Sequence, residues 1–460
     1  MASIKASVES SLDLFETAIG SVLVSDITLV DPGRITIGFS HGFSDILEGS
    51  GFTVDGDGRI ISGTITRIAE YRNNVLQFVI SDLAIPAQSL TTWIAEGDYQ
   101  TVMLTLLSGS DLVTGSDRVD RIFTSDGNDT VRAGADNDEV GGEAGDDHLY
   151  GGAGDDSLDG GSGIDLAYYD DLFSRYALRF TDHGLELAGP VSDGDDTLSG
   201  IEQLHFRDGV LTIDHEAVGS RIIRLYDAVL HRAPGQVELE GWLDRAAKGM
   251  NLEQVAAYFL DSAEFKAAGA TVGPDSAFVD FLYRHALGRE AELTGRAYWT
   301  GQLAGGLSRA DALLFFSESA EHKDRTADQT ATGYFQTDEG YQTIALLYDS
   351  FADRLPDTAG LMHWGDQLNG GTRSLSEIAS LFVISPEFQG RTGSMSHAQL
   401  VDFMYRNTLG READPGGRAG WIAALDGGMT DGDLLLGFAL SAEHQLLMST
   451  YITGGIDVLF

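Results

Sequence analysis

Seven aspartates stand nine residues apart, at Asp111, Asp120, Asp129, Asp138, Asp147, Asp156 and Asp165. Two places after each comes an apolar residue: Val113, Ile122, Val131, Val140, Leu149, Leu158 and Ala167. Written in nines, residues 106–168 run LLSGSDLVT, GSDRVDRIF, TSDGNDTVR, AGADNDEVG, GEAGDDHLY, GGAGDDSLD and GGSGIDLAY without a gap. Six Gly-rich positions suit a tight turn that needs positive φ and leaves carbonyls exposed, and the last three suit a short strand with one side chain inward. Two nonapeptides complete one coil, so the turns alternate between two edges. Asp111, Asp129, Asp147 and Asp165 are expected to stack on one edge, and Asp120, Asp138 and Asp156 on the other. Stacked carboxylates repel one another unless a cation lies between them. A hard cation that takes six to eight carboxylate and carbonyl oxygens is calcium.

This pattern resembles the G-G-x-G-x-D-x-U-x nonapeptide of the RTX (repeats-in-toxin) calcium-binding proteins, which form a parallel β-roll. The resemblance implies Ca2+ between successive turns of one edge, five sites at most. It adds the turn glycines Gly127, Gly142, Gly145, Gly151, Gly154, Gly160 and Gly163 to the seven aspartates as metal-site residues. Arg118 and Asp136 occupy the fourth position, where Gly is expected, and Asp tolerates a left-handed backbone better than Arg does. The run from Gly142 to Asp165 follows the motif most closely. Folding is expected to depend on calcium. Extracellular modules bind it at roughly 10⁻⁴ to 10⁻³ M, which suggests a chain disordered inside the cell and folded outside. His148 reads as a solvated, outward side chain. Beyond the roll, residues 169–215 read as short strands. DTLSGIEQLHFRDGVLTID is similar to the segment that follows RTX rolls and is expected to cap the open end, while Asp193, Asp195 and Asp196 read first as a surface turn, with one more bound ion as the alternative.

From about residue 220 the spacing becomes helical and a second repeat begins. Tyr226, Tyr283, Tyr348 and Tyr405 are each followed after sixteen residues by Trp242, Trp299, Trp364 and Trp421. Six residues after each Tyr stand Arg232, Arg289, Arg354 and Arg411, and Ser-x-Glu closes each unit at Glu264, Glu321, Glu387 and Glu443. The spacing groups the units as two pairs. Each resembles the domain-of-unknown-function family 4214; the second and fourth end in SAEH where the family has S-x-E-F. The resemblance implies small helical bundles in secreted bacterial surface proteins. Recurring Tyr and Trp read first as core, because burying either removes a large apolar area from water. The Arg and Glu columns either pair within a unit or stand as solvated charge. Four copies of one surface favour multivalent contact with a repeating partner over a single catalytic centre.

Residues 1–105 contain strand-like runs, SVLVSDITLV, RITIGFS, IISGTITRIAEY and NNVLQFVISDL, and read as a β-sandwich or irregular sheet. GFSHG matches the G-x-S-x-G elbow of α/β-hydrolases, with Ser40 as nominal nucleophile. The following GFSDILEGSGFTVDGDG reads as turns where an elbow needs a helix, so the match reads as chance. His215-Glu216 lacks the second His of a zinc-protease motif. No catalytic residue is assigned.

Subtracting 71 acidic from 29 basic residues leaves a net charge of -42, which disfavours nucleic acid and anionic membrane surfaces as partners. The absence of Cys excludes thiolate chemistry. No apolar run is long enough to span a membrane, and no amino-terminal signal peptide is visible. The end, GGIDVLF, looks like the carboxy-terminal signal of type I secretion substrates. The expected architecture is multidomain α+β: a β-rich domain at 1–105, a calcium-binding parallel β-roll at 106–168 and a β cap at 169–216. An all-α array follows as repeat pairs at 217–330 and 331–460, the latter carrying the secretion signal. The expected function is non-enzymatic: a secreted calcium-binding bacterial surface protein (adhesin, matrix or surface-layer-like component), with type I secretion machinery and either copies of itself or a surface glycan as partners. The alternative is a secreted polysaccharide-active or ester hydrolase with the roll as accessory domain.

Overall fold

The computed structural model describes residues 2–6, 24–39, 43–56, 59–96, 98–181, 184–267, 273–452, 454–456 and 458. The chain forms two compact units, Met1–Asp171 with Arg175–Phe206, and Leu172–Ser174 with Arg207–Phe460. It is a mixed α+β protein, with a large mixed sheet early and helices later.

The first unit opens on an antiparallel sheet whose strands Val24–Asp31, Arg34–Phe39, Phe43–Val54, Ile60–Arg72 and Val75–Ser81 pair in chain order. Asn73 and Asn74, both at positive φ, close the last hairpin, as its right-handed twist requires. Two expectations for this region give way. The segment FSDILEGSGFTV, Phe43–Val54, is a long strand, not turns; its glycines fall at register shifts between Glu48 and Gly49 and between Ser50 and Thr53, so they mark bulges. Residues 87–106 are helical, as Ala87–Glu96 and Tyr99–Leu106, and bury Ala87, Leu90, Val102 and Leu106 at helix spacing.

Strand Ser3–Ala6 joins this sheet to the nonapeptides. It lies antiparallel to Val75–Ser81 and parallel to Leu112–Thr114. From there the chain advances in 18-residue coils that build two parallel ladders. One runs Leu112–Thr114, Thr130–Ala135, His148–Ala153, Leu166–Tyr168 and Gln203–Phe206, aligning Val113, Val131, Leu149, Ala167 and Leu204. The other runs Arg121–Phe123, Glu139–Gly141, Ser157–Asp159 and Asp195–Ser199, aligning Ile122, Val140, Leu158 and Leu198. All nine are buried, and only Thr130–Ala135 and Gln203–Phe206 add a second apolar side chain, Ala133 and Phe206, so the coil's core is thin. The hairpin Ala177–Thr181 and Gly184–Ala188 pairs antiparallel with Asp195–Ser199.

In the second unit helices run from Val218–Leu230 to Ala442–Ile452 around two apolar clusters, one gathered from Ile222 to Phe316 and one from Tyr341 to Val458. It is not purely helical: the β-prone Tyr334–Thr337 pairs antiparallel with Gly209–Thr212. Near its end, buried Asp208 receives the amides of Phe173 at 2.8 Å and Ile456 at 3.0 Å, and Ile456 is fully buried. Among the described residues no helix is long and apolar enough to cross a membrane.

Candidate metal centre

Each coil places its sixth-column aspartate at the end of a turn, directly under the amide of its counterpart one coil earlier. Asp111 N donates to Asp129 Oδ1, Asp129 N to Asp147 Oδ1, and Asp147 N to Asp165 Oδ1, at 2.7, 2.7 and 2.8 Å. On the other edge Asp120 N donates to Asp138 Oδ1 and Asp138 N to Asp156 Oδ1, at 2.7 and 2.8 Å. All seven side chains are at most 3% exposed. The second oxygen is different. Oδ2 of Asp111, Asp129, Asp138, Asp147, Asp156 and Asp165 is buried with no hydrogen-bond partner. Asp120 departs from the column, its Oδ2 taking the amide and hydroxyl of Ser116.

An orphaned carboxylate oxygen in the interior is expensive unless it is neutralised. Burial accordingly pushes these acids up: Asp111 and Asp156 to about 6, Asp147 to about 7 and Asp138 to about 8, with Asp129 and Asp165 also raised. Repulsion between rungs adds to this in Asp147, from Asp129 and Asp165, and in Asp138, from Asp156 and Asp120. The ladder therefore calls for positive charge. Hard anionic oxygens aligned in two rows suit calcium. Among the described residues no three His, Asp or Glu side chains converge as one metal-binding group. Asp129, Asp138, Asp147, Asp156 and Asp165 would thus supply one or two carboxylates to each ion, leaving the remaining oxygens to backbone carbonyls of the turns.

The glycines make that approach possible. A Cβ on Gly142 or Gly151 would stand 2.3 Å from Oδ2 of Asp147 or Asp156, and one on Gly160 2.5 Å from the Asp165 Cβ. Gly127, Gly145 and Gly163 stack at positive φ, each against the carbonyl of the glycine one coil before, and Gly154 lies likewise on the Asp136 carbonyl. Asp136 itself adopts φ +72°, whereas Arg118 is not among the positive-φ residues, so its turn is built differently from the rest.

Two groups were misjudged from sequence, Asp196 and His148, and a third, Glu202, was not singled out. Asp196 is 4% exposed rather than on a surface turn, and its Oδ1 receives the Asp156 amide at 2.9 Å, continuing that ladder. Glu202 Oε2 does the same for Asp165 N at 2.8 Å, in place of an aspartate. His148 is not freely solvated: it is half-buried, its Nδ1 2.9 Å from the Tyr168 hydroxyl, within a stack that includes Tyr150. The GDD-x-L run at 194–198 was the available signal for Asp196. Ser40 lies outside the described residues.

The helical units repeat one clamp. Arg232, Arg289, Arg354 and Arg411 each grip Glu264, Glu321, Glu387 and Glu443 with two hydrogen bonds of 2.6–3.0 Å. Each guanidinium lies 4.9–5.2 Å from the ring of its unit's Tyr. The four Tyr are buried; Trp242 is buried and the other three Trp are half-buried. The Ser of each Ser-x-Glu accepts an amide from the start of the helix that follows, which aims the Glu back at the Arg.

The RTX calcium-binding nonapeptide repeat matches residues 107–140 and 137–167. The domain of unknown function DUF4214 matches residues 256–326, 328–382 and 379–448. The Tyr226 segment, which precedes those matches, has the same clamp. No curated protein matches the chain. Solved structures that match include the extracellular lipase LipA from Serratia marcescens, at 21% identity, over 22% of this chain and 14% of the lipase, with a TM-score of 0.15. The chain thus spans about a seventh of that enzyme's length, and the likeness carries no argument about activity.

Proposed function

From a chain that carries RTX calcium-binding nonapeptide repeats and three DUF4214 segments, we propose a calcium-folded, exported protein without enzymatic activity. It would work at the bacterial surface as an adhesin, matrix or surface-layer-like component. The observation that supports this most directly is the row of buried aspartate oxygens without partners. Bound calcium would supply the charge that lets those carboxylates stay ionised inside the coil. At low cytosolic calcium the coil's thin core faces uncompensated repulsion and the segment stays unfolded, a state suited to passage through type I secretion machinery. At the roughly 10⁻⁴ to 10⁻³ M affinity of extracellular modules it folds outside. The helical units then present four similar surfaces to other copies or to a surface glycan, which a repeating partner would bind by avidity.

The test uses the full chain in its native host, grown in millimolar calcium or with a chelator. The expected result is protein outside the cell or on its surface, in assemblies that light scattering and electron microscopy detect only with calcium. Protein confined to the cytoplasm, or a monomer of unchanged size in both conditions, would overturn the reading.

A further inference from the structure

The coil outlasts its repeats. After strand Leu166–Tyr168 the chain leaves for the hairpin Ala177–Thr181 and Gly184–Ala188, and then returns with Gly194-Asp195-Asp196-Thr197-Leu198 in the place of another turn on the Asp156 edge. The fit is the same at four points. Leu198 is in register with Leu158, as Leu158 is with Val140. Asp156 N donates to Asp196 Oδ1 at 2.9 Å across 40 residues, as Asp138 N does to Asp156 Oδ1 across 18. Asp195 N donates to Asp155 Oδ1 at 2.9 Å, as Asp155 N does to Asn137 Oδ1 at 3.0 Å. Gly194, at φ +85°, lies on the Gly154 carbonyl just as Gly154 lies on that of Asp136, a Cβ standing 2.3 Å away in both cases.

Two buried polar atoms at this seam lack partners. Asp156 is 2% exposed and its Oδ2 is orphaned. The Tyr169 hydroxyl, also buried, lies against Asp196 without completing a hydrogen bond. Tyr176, edge-on to Tyr169, donates to Asp193. A hydroxyl and two carboxylates make a hard-oxygen donor set.

We propose that Asp156, Asp196 and the Tyr169 hydroxyl hold a calcium ion at the seam between the repeat run and the inserted hairpin. This site lies beyond the matched repeats, which end at residue 167, and its far wall is contributed by a segment distant in sequence. It fastens the hairpin to the coil, so that the open end closes in the same calcium-dependent step. The inference rests on the ladder being a calcium-binding element.

Calcium bound per chain, counted by native mass spectrometry of the full-length protein at saturating CaCl2, tests it. Asp196→Asn keeps an oxygen for the Asp156 amide and is expected to bind one ion fewer than wild type, while Asp147→Asn loses its own site and leaves the seam intact. An unchanged count in Asp196→Asn overturns the seam site and spares the ladder; a wild-type chain that binds no calcium overturns both. Should Asp196→Asn fail to fold, Tyr169→Phe decides, because its ring keeps its stacking on Phe206 and Tyr176. One step of its calcium titration is expected to weaken about tenfold, the scale on which a lost contact in a metal's shell acts. A titration identical to wild type overturns the site.

Discussion

Asp45 and Glu70 are buried acids of another kind from those of the coil. They face each other across two antiparallel strands of the amino-terminal sheet, 2% and 6% exposed, and Asp45 Oδ1 has no hydrogen-bond partner. Burial pushes Glu70 up to about 7 and holds Asp45 well above the usual carboxylate range, with Glu70 adding repulsion. An acid whose pKa is raised by folding stabilises the fold fully below its unfolded value of about 4.5, and that stability is lost as the pH rises through its folded value. With calcium saturating, the melting temperature of the first unit is therefore expected to fall between about pH 5 and about pH 8, and Asp45→Asn with Glu70→Gln to flatten the slope. A wild-type melting temperature that rises over this range would contradict the assignment. In the ladder, by contrast, the acids recur at every turn, and outside Asp120 each Oδ1 is tied to an amide and each Oδ2 is left over. Repetition is what separates a binding element from a buried pair.

At the scale of elements, the SAEH endings of the second and fourth helical units explain how the units pair. Where the first and third units put Phe265 and Phe388 into their own cores, the other two put fully buried His322 and His444. His322 Nε2 reaches the Arg224 carbonyl of the first unit at 3.1 Å, and His444 Nε2 reaches Asp349 of the third at 2.8 Å. Removing one partner of a buried polar contact costs more than the contact is worth on balance, because the other is left unsatisfied. His444→Ala is expected to destabilise the second unit by about 3 kcal/mol in denaturant titration. Glu443→Ala breaks an equally short but exposed Arg–Glu grip and is expected to cost far less, because solvent screens both charges. Equal costs would show that the histidine is only filler. Much of this was legible beforehand: nine-residue spacing placed the seven aspartates of the repeat run, and the Tyr, Arg and Glu columns marked the residues of each clamp. What escaped was set by tertiary context. Gly49 and Gly51 read as turn residues but sit at bulges of a strand, helix-spaced Leu90 and Val102 were swallowed by a β-rich neighbourhood, and Asp196 was hidden because an inserted hairpin broke the period of nine.

Taken whole, the molecule divides its dependence on metal unevenly. The helical unit, Arg207–Phe460 with Leu172–Ser174, has two apolar clusters of its own and none of the aspartate rungs, whereas the first unit has its coil built on them. Chelation is expected to remove the strand contribution of residues 112–206 from the far-UV spectrum and to leave the helical signal standing. Loss of most of the helical signal on chelation would show that the units fold only together. The bond from the buried Ile456 amide to Asp208 adds a constraint on timing, because its two residues stand 248 apart in the chain. A loop so long is closed cheaply only after the helices between have packed, so this latch is the last thing the helical unit fastens.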